Sequence, residues 1–227
     1  MNRRVAIGRA VGLLIAVGAP SISPAICHAE ARCALPTGAS PALGSVDPTR
    51  RLTWIDAHLT ATEKNARLWT YGWGGGIAAA GVGSLVAVPF VAPEGRVDWY
   101  TGAVSAAVGV AAFVFAPPAI LHDAPALRAD MAEARADADP GVCSLLAGAE
   151  ARLVHDAQDE ARQRRWYIHA GNLVFNAGLG LFLGLGYHHW SGGVINAQAG
   201  AAVGEALIFT SPTATIDDLA AYRSGAL

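Results

Sequence analysis

Four polar side chains that could bind an ion or carry a proton lie in two otherwise apolar segments near the C-terminus. His169, Asn172 and Asn176 are spaced by three and four residues, which places them on one face of a helix. Glu205 lies in the next apolar segment, and folding the two segments back at residue 189 puts it opposite residue 173. We therefore expect these four side chains, called the polar cluster below, to meet at one depth.

Two interpretations of the polar cluster remain open. An ionisable side chain inside a membrane span is a candidate for a proton- or ion-responsive site. Polar side chains also join membrane helices through hydrogen bonds. A carboxylate at mid-span costs about 2.5–3.5 kcal/mol, whereas a Leu or Ile contributes only about 0.3–0.6 kcal/mol. This cost makes pairing of Glu205 with donors from the preceding segment nearly obligatory and favours the hydrogen-bonding role.

The other histidines give weaker signals. The His188-His189 turn has no Cys or Asp close in sequence to complete a metal ligand set. His155 with Asp159, and His122 with Asp123, are interpreted as solvated pairs on helix surfaces. The chain has no HExxH, GxSxG, CxxC or phosphate-loop motif. The sequence therefore predicts no catalytic, cofactor-binding or metal-binding residue, and an enzyme is disfavoured.

The apolar residues are concentrated in four blocks, each of about 20 residues and so long enough to cross a hydrocarbon core about 30 Å thick. Hydrophobic residues make up 53% of the chain and charged residues 15%. The blocks cover residues 72–92, 99–118, 167–187 and 191–211. We predict an all-α membrane protein whose four transmembrane helices form two hairpins. A net charge of −2 gives no polybasic signature for nucleic acid.

Tryptophans lie at the ends of these blocks. Amphipathic aromatic rings accumulate at the headgroup level of a bilayer, whereas a soluble helical bundle would have its tryptophans scattered through the core. Five of the six tryptophans follow the membrane pattern: Trp69, Trp73, Trp99, Trp166 and Trp190.

The two predicted hairpins resemble each other in sequence. A shift of 97 positions aligns His58 with His155 and Trp69 with Trp166, and several glycines then coincide. This internal repeat predicts hairpins of equal orientation, related by a pseudo-two-fold axis along the membrane normal. The interior is not repeated, because the first hairpin is almost purely apolar and the second contains the polar cluster.

The segments outside the blocks are predicted to be mostly helical. Leu52, Ile55 and Leu59 recur at spacings of three and four, which is typical of an amphipathic helix. We expect helices at residues 125–138 and 143–165, the second running without a break into the third block. The predicted divisions are a linker (30–50), the amphipathic helix with the first hairpin (51–118), an extramembrane helical segment (119–165), the second hairpin (166–212) and a short tail (213–227).

The N-terminus has the three parts of a secretory signal: early arginines, an apolar run at residues 10–19, and small residues before a cleavage site after Ala29. An uncleaved anchor is the alternative. Removal of residues 1–29 leaves Cys33 and Cys143, which predicts a disulfide in an oxidising compartment. Two free thiols are the alternative there.

The charge distribution opposes the orientation that this signal implies. Cleavage puts the polar segments in the periplasm, yet those segments contain most of the arginines, while the turns contain only Arg96. We favour the exported orientation in a bacterial inner membrane, since the signal and the cysteine count agree. The single lysine among sixteen basic residues is typical of a GC-rich bacterial genome.

The resulting functional prediction is a non-enzymatic membrane protein of the cell envelope without a cofactor. It would act as a scaffold or accessory subunit whose polar helices engage a protein partner or a second copy of the chain. The alternative is a small, oligomeric transporter or ion-responsive subunit that uses the polar cluster. The expected surroundings are the lipid bilayer, with no nucleic acid.

Overall fold

A computed structural model describes residues 33–136 and 141–227, and the predicted signal peptide lies outside these residues. The described residues are helical and contain no β-strand, which confirms the all-α prediction. The helices are α1 (Pro48–Ala87), α2 (Arg96–Phe115), α3 (Ile120–Ala136), α4 (Val142–Gln163), α5 (Trp166–Tyr187), α6 (Trp190–Thr210) and α7 (Ala214–Ser224).

Helix α1 is a single unbroken helix of 40 residues. It begins at Pro48, where the Asp47 carboxylate accepts the backbone N–H of Arg50 at 3.0 Å. It ends where Pro89 interrupts the hydrogen-bond ladder in the short 3-10 turn Val88–Phe90. The amphipathic helix and the first apolar block predicted from the sequence are thus one rod, about 60 Å long at about 1.5 Å per residue.

The first half of α1 packs with α3, α4 and α7 around a core of its own. Leu52, Ile55 and Leu59 are buried in this core, as their spacing predicts. We call this assembly the helical module. The other helices add further buried aliphatic side chains to it: Ala124, Leu127, Leu146, Ala149 and Leu153.

The linker and the C-terminal tail form part of the helical module. Leu43, in the 3-10 turn Pro41–Ser45, is fully buried, and the Ser40 N–H donates to the Arg223 carbonyl at 2.7 Å. Residues 214–224 form α7 and bury Tyr222. The spacing of Thr215, Leu219 and Tyr222 could have predicted this helix. Within the described part of the predicted linker, residues 41–45 and 48–50 are therefore helical, and the predicted tail contains α7.

Helices α4 and α5 are separate, so the expectation of one continuous helix is wrong. Arg165 has an extended backbone (φ −74°, ψ 149°) and immediately precedes α5. The Arg164 guanidinium donates to the Phe209 and Ser211 carbonyls at 2.9 and 2.8 Å. The break between α4 and α5 lets Arg164 donate to carbonyl groups at the end of α6. If α4 and α5 were one continuous helix, those carbonyl groups would lack this donor.

Two helix pairs extend from the helical module. The second half of α1 packs on α2, and α5 packs on α6. Gly81 allows the first contact, because a Cβ there would come 2.9 Å from that of Ala106. In the second pair a Cβ on Gly193 would come 2.5 Å from the Gly180 carbonyl oxygen, so these two backbones are in direct contact.

Three helical segments of the described chain are long and apolar enough to cross a membrane: Pro48–Phe90, Pro93–Ala136 and Trp166–Tyr187. Their large apolar side chains face outward, with Val86 62%, Phe115 85% and Val174 72% exposed. An apolar surface of this extent requires another apolar phase around it. The fold is therefore that of a membrane protein.

Candidate functional site

The polar cluster joins α5 to α6. His169 Nδ1 lies 2.5 Å from Glu205 Oε2, and Asn172 Nδ2 donates to Glu205 Oε1 at 2.9 Å. Asn172 Nδ2 also donates to the Ala201 carbonyl at 3.0 Å. Both carboxylate oxygens of Glu205 therefore have partners on α5.

Two glycines of α6 make room for the two asparagines. Asn176 donates to the backbone and side-chain oxygens of Asn172 at 2.9 and 2.8 Å. A Cβ on Gly200 would overlap the Asn176 amide oxygen, and one on Gly204 would overlap that of Asn172. The pairing of these glycines with asparagines was not predicted from the sequence.

A cavity of about 410 Å³ lies between the two helix pairs. Most of its walls are small residues such as Gly102 and Gly200, and Asn172, Asn176 and Asn196 contribute polar groups. Asn196 also donates to the Gly192 carbonyl of its own helix at 3.0 Å. The cavity borders the polar cluster, and the rest of its wall is mostly apolar.

The predicted aromatic anchors fall into two groups at opposite ends of the helix pairs. At the end near the helical module, the indole N–H groups of Trp69 and Trp73 both donate to Thr210 Oγ1 at 3.1 Å, and Trp166 begins α5. Trp99 and Trp190 lie at the other end, near the start of α2 and of α6. Trp54, the sixth tryptophan, stacks on His58 within the helical module.

The His188-His189 turn has an acidic neighbour that the sequence did not reveal. His189 Nδ1 lies 3.3 Å from Asp98 Oδ2, although 91 residues separate them. A Cβ on Gly192 would overlap the same carboxylate. Asp98 therefore connects the first helix pair to the second at the end away from the helical module.

The predicted disulfide is present. Cys33 and Cys143 are bonded, with Cα atoms 5.1 Å apart and 110 positions between them in sequence. The bond fixes the start of the described chain to the start of α4.

A buried ion pair lies at the centre of the helical module. Arg51 and Glu150, 2% and 7% exposed, form a salt bridge, and the Tyr222 hydroxyl donates to the same carboxylate. Arg51 Nε donates to Tyr222 Oη at 2.9 Å. Burial opposes the charge on Arg51, but its two partners outweigh this effect and raise its pKa.

A second buried carboxylate pairs with two arginines. Glu63 lies 2.7 Å from a guanidinium nitrogen of Arg128 and 2.7 Å from one of Arg67. Burial disfavours its charge, yet the hydrogen bonds from both arginines prevail and lower the pKa of Glu63. Arg51, Arg67 and Arg128 are thus paired with specific acids of the fold.

Asp123, His155 and Asp156 form a cluster that was not predicted from the sequence. His155 Nδ1 lies 2.7 Å from Asp123 Oδ2 of α3, so both predicted solvated pairs are corrected. Asp159 instead accepts the Ala119 N–H at 3.1 Å. Burial, followed by the Asp123 charge, raises the pKa of Asp156 to about 8. Asp156 continues the buried 3–4 spacing of Leu153, which was the available signal.

A second cavity, of about 670 Å³, lies where the helical module meets the helix pairs. Its apolar side includes Trp69 and Phe113, and its polar side includes His122, His155 and Arg162. The exposed imidazole of His155 thus borders this space.

The chain matches none of the family models, curated proteins or solved structures with which it was compared. Its function has to be argued from the geometry alone.

Proposed function

We propose that this chain is a non-enzymatic integral membrane protein of the bacterial envelope that holds its helical module at the membrane surface for a protein partner. The observation that carries the proposal is the continuity of α1, which contributes Leu52 and Leu59 to the core of the module and then enters the first helix pair. Because α1 has no hinge in its interior, the helical module is held at a fixed distance from the membrane.

Helix α6 is the fourth span in this proposal. Asn196, Gln198 and Glu205 make it less apolar than the other three candidates. It nevertheless packs along α5 and exposes Ile195 and Phe209 outward. The hydrogen bonds from α5 to Glu205 offset the cost of inserting its carboxylate.

The proposed location is the inner membrane, with the helical module in the periplasm. The Cys33–Cys143 bond supports this orientation, since disulfides persist in oxidising compartments. The arginine bias that opposes it has a structural explanation, because Arg51 and Arg128 pair with buried acids and Arg164 caps α6.

The proposed partner surface is the outer face of α4. Ala147, Ala151 and Gln158 are exposed there at helical spacing, opposite the buried Leu153. Ala147 and Ala151 are small and Gln158 is uncharged, so another helix can approach this face at low desolvation cost. A second copy of this chain is the other occupant that fits such a face.

Site-specific photo-crosslinking tests the scaffold proposal. A benzophenone amino acid at Ala147, Ala151 or Gln158 should give a discrete adduct in living cells, to be identified by mass spectrometry and verified by reciprocal capture. The same probe at the outward-facing Val174 is the matched control. Glu205→Gln should leave the adduct unchanged, and no adduct from any of the three α4 positions would contradict the proposal.

A second candidate function is a small transporter or proton-responsive subunit. The observation that favours it is the cavity of about 410 Å³, lined by three asparagines beside the polar cluster. Proteoliposomes containing the purified protein and a pH-sensitive dye distinguish the two. A scaffold produces no proton flux above that of empty vesicles, whereas flux abolished by Glu205→Gln would establish the second candidate in place of the first.

Reporter fusions after Leu227 test the proposed orientation. Four spans and a cleaved signal place the C-terminus in the periplasm, so alkaline phosphatase fused there should be active and green fluorescent protein should be dark. The reverse pattern would put the helical module in the cytoplasm and refute the periplasmic location.

A further inference from the structure

One side-chain cluster in the helical module has the composition of a metal site. Asp123 of α3 and His155 and Asp156 of α4 bring one ligand atom each to within 4.8 Å of one another. Ligands that share one ion at about 2.0–2.2 Å lie at most about 4.4 Å apart. Small side-chain rotations would therefore bring all three onto a single ion.

Asp156 provides an independent reason to expect a cation. The residue is 1% exposed, and neither carboxylate oxygen receives a hydrogen bond from any described residue. No arginine or lysine of the described chain forms a salt bridge with it, and the nearby Arg162 pairs with Asp159 at 3.7 Å. A buried carboxyl group without a hydrogen-bond partner is costly, and this one lies against Asp123 and His155.

The charge and the ligand types specify the class of ion. A bound metal requires both acids in their deprotonated form. Two carboxylates and a neutral imidazole then carry a charge of −2, which a divalent cation neutralises. Imidazole nitrogen together with carboxylate oxygen suits Zn²⁺ and Mn²⁺ better than Mg²⁺ or Ca²⁺, which prefer oxygen alone.

The cluster is also accessible. The His155 side chain is 57% exposed and borders the cavity of about 670 Å³. His122 lines the same cavity. Asp156 lies at the closed end of the cluster and His155 at the open end.

We propose that Asp123, His155 and Asp156 bind one divalent transition-metal ion, which joins α3 to α4. The site departs from the sequence-based expectation of no metal ligand, because its residues come from two helices. It requires neither the scaffold function nor the periplasmic orientation.

Zinc titration of the full-length protein tests this site. The protein is purified in detergent without a polyhistidine tag, stripped with a chelator and titrated with Zn²⁺ in excess Mg²⁺. We expect about one Zn²⁺ per chain and a raised midpoint of thermal unfolding. His155→Gln and Asp156→Asn should each weaken binding at least about 100-fold.

His58→Gln is the matched control. His58 pairs with Asp218 at 2.8 Å on the same module, and no third His, Cys, Asp or Glu of the described residues joins that pair as a potential ligand. This variant should bind Zn²⁺ as the wild type does. Should Asp156→Asn fail to fold, the exposed His155→Gln decides the outcome. A wild type that binds no more Zn²⁺ than His155→Gln, or equal loss in His58→Gln, would overturn the proposal.

Discussion

The amide oxygen of Asn176 fills the space in which a side chain at position 200 would lie. Gly200 faces it from α6, and any Cβ there would overlap that oxygen. One turn away, Gly204 and Asn172 repeat the arrangement. Helices α5 and α6 thus meet where the asparagine amides pack directly on the backbone of α6. This contact requires glycine at positions 200 and 204.

Replacing Gly200 with alanine should therefore destabilise the α5–α6 pair. The added methyl group displaces the Asn176 amide, and overpacking of this kind costs about 1–3 kcal/mol. Gly178→Ala is the matched control, because nothing lies within 4 Å of a Cβ at that position. Thermal unfolding followed by circular dichroism in detergent measures both. Equal midpoints for the two variants would show that the contact is not as tight as described.

Removing Arg51 should strongly destabilise the helical module. Arg51→Met leaves Glu150 buried without its cation, a loss of about 3–5 kcal/mol. Tyr222→Phe removes one hydroxyl but keeps the ion pair, so it should cost about 1–3 kcal/mol. Chemical denaturation monitored by circular dichroism measures the difference.

Arg162→Gln supplies the control for that series. Its guanidinium is 54% exposed and lies 3.7 Å from Asp159, so its loss should change stability by less than about 1 kcal/mol. A loss of stability as large as that of Arg51→Met would mean that burial does not determine how much these ion pairs contribute to stability.

Breaking the disulfide should lower stability without abolishing the fold. The bond links residues 110 positions apart, and loops of this length are stabilised by about 2–5 kcal/mol. Cys143→Ser should unfold at lower denaturant concentration than wild type, and dithiothreitol should reduce wild type to the same value. If dithiothreitol lowered the unfolding midpoint of Cys143→Ser as much as that of wild type, the effect would not come from the disulfide.

The pH dependence of stability should change when Glu160 is replaced. Burial, the largest influence, outweighs two backbone N–H bonds from α7 and raises the pKa of Glu160, and the charge of Asp218 adds to the rise. The stabilising contribution of the neutral acid is thus complete below the unfolded pKa, about 4.3. It is lost as the pH rises through the folded pKa.

Glu160→Gln retains an oxygen that can accept the Thr215 N–H but cannot ionise. Its stability relative to wild type should therefore increase with pH above about 4.3. Unfolding curves from pH 4 to 8, with a chelator present, measure this difference. The free energy of unfolding of the variant minus that of wild type should rise across this range. A difference that stays constant or falls as the pH rises would contradict the raised pKa.

Features that depend on local periodicity are predicted well from the sequence. Leu52, Ile55 and Leu59 revealed a buried helix face, and the folding of two apolar segments placed Glu205 against His169. The Cys33–Cys143 bond was inferred by counting the thiols left after removal of the signal. The first inference needs only the helical repeat, and the second needs only the position of a turn. The third needs only an even number of cysteines.

Contacts between distant helices could not be predicted in this way. The Asp98–His189 and Asp123–His155 pairs each join residues on separate helices, and no repeat or motif places them together. The break at Arg164 was missed for the same reason, since its cause is the end of α6, about 45 residues later along the chain. Glu160 likewise gains its role only because α7 returns to the module.

Because α1 is long and continuous, a tilt of its membrane-spanning half displaces its N-terminal half. Its first half, from Pro48 to Ala66, reaches about 28 Å beyond the apolar half at about 1.5 Å per residue. Membrane helices commonly tilt by about 20° to match bilayer thickness, and that tilt would carry the N-terminal end of α1 sideways by about 10 Å. Because α3, α4 and α7 pack on this N-terminal half, a change in lipid thickness would become a displacement of the whole module.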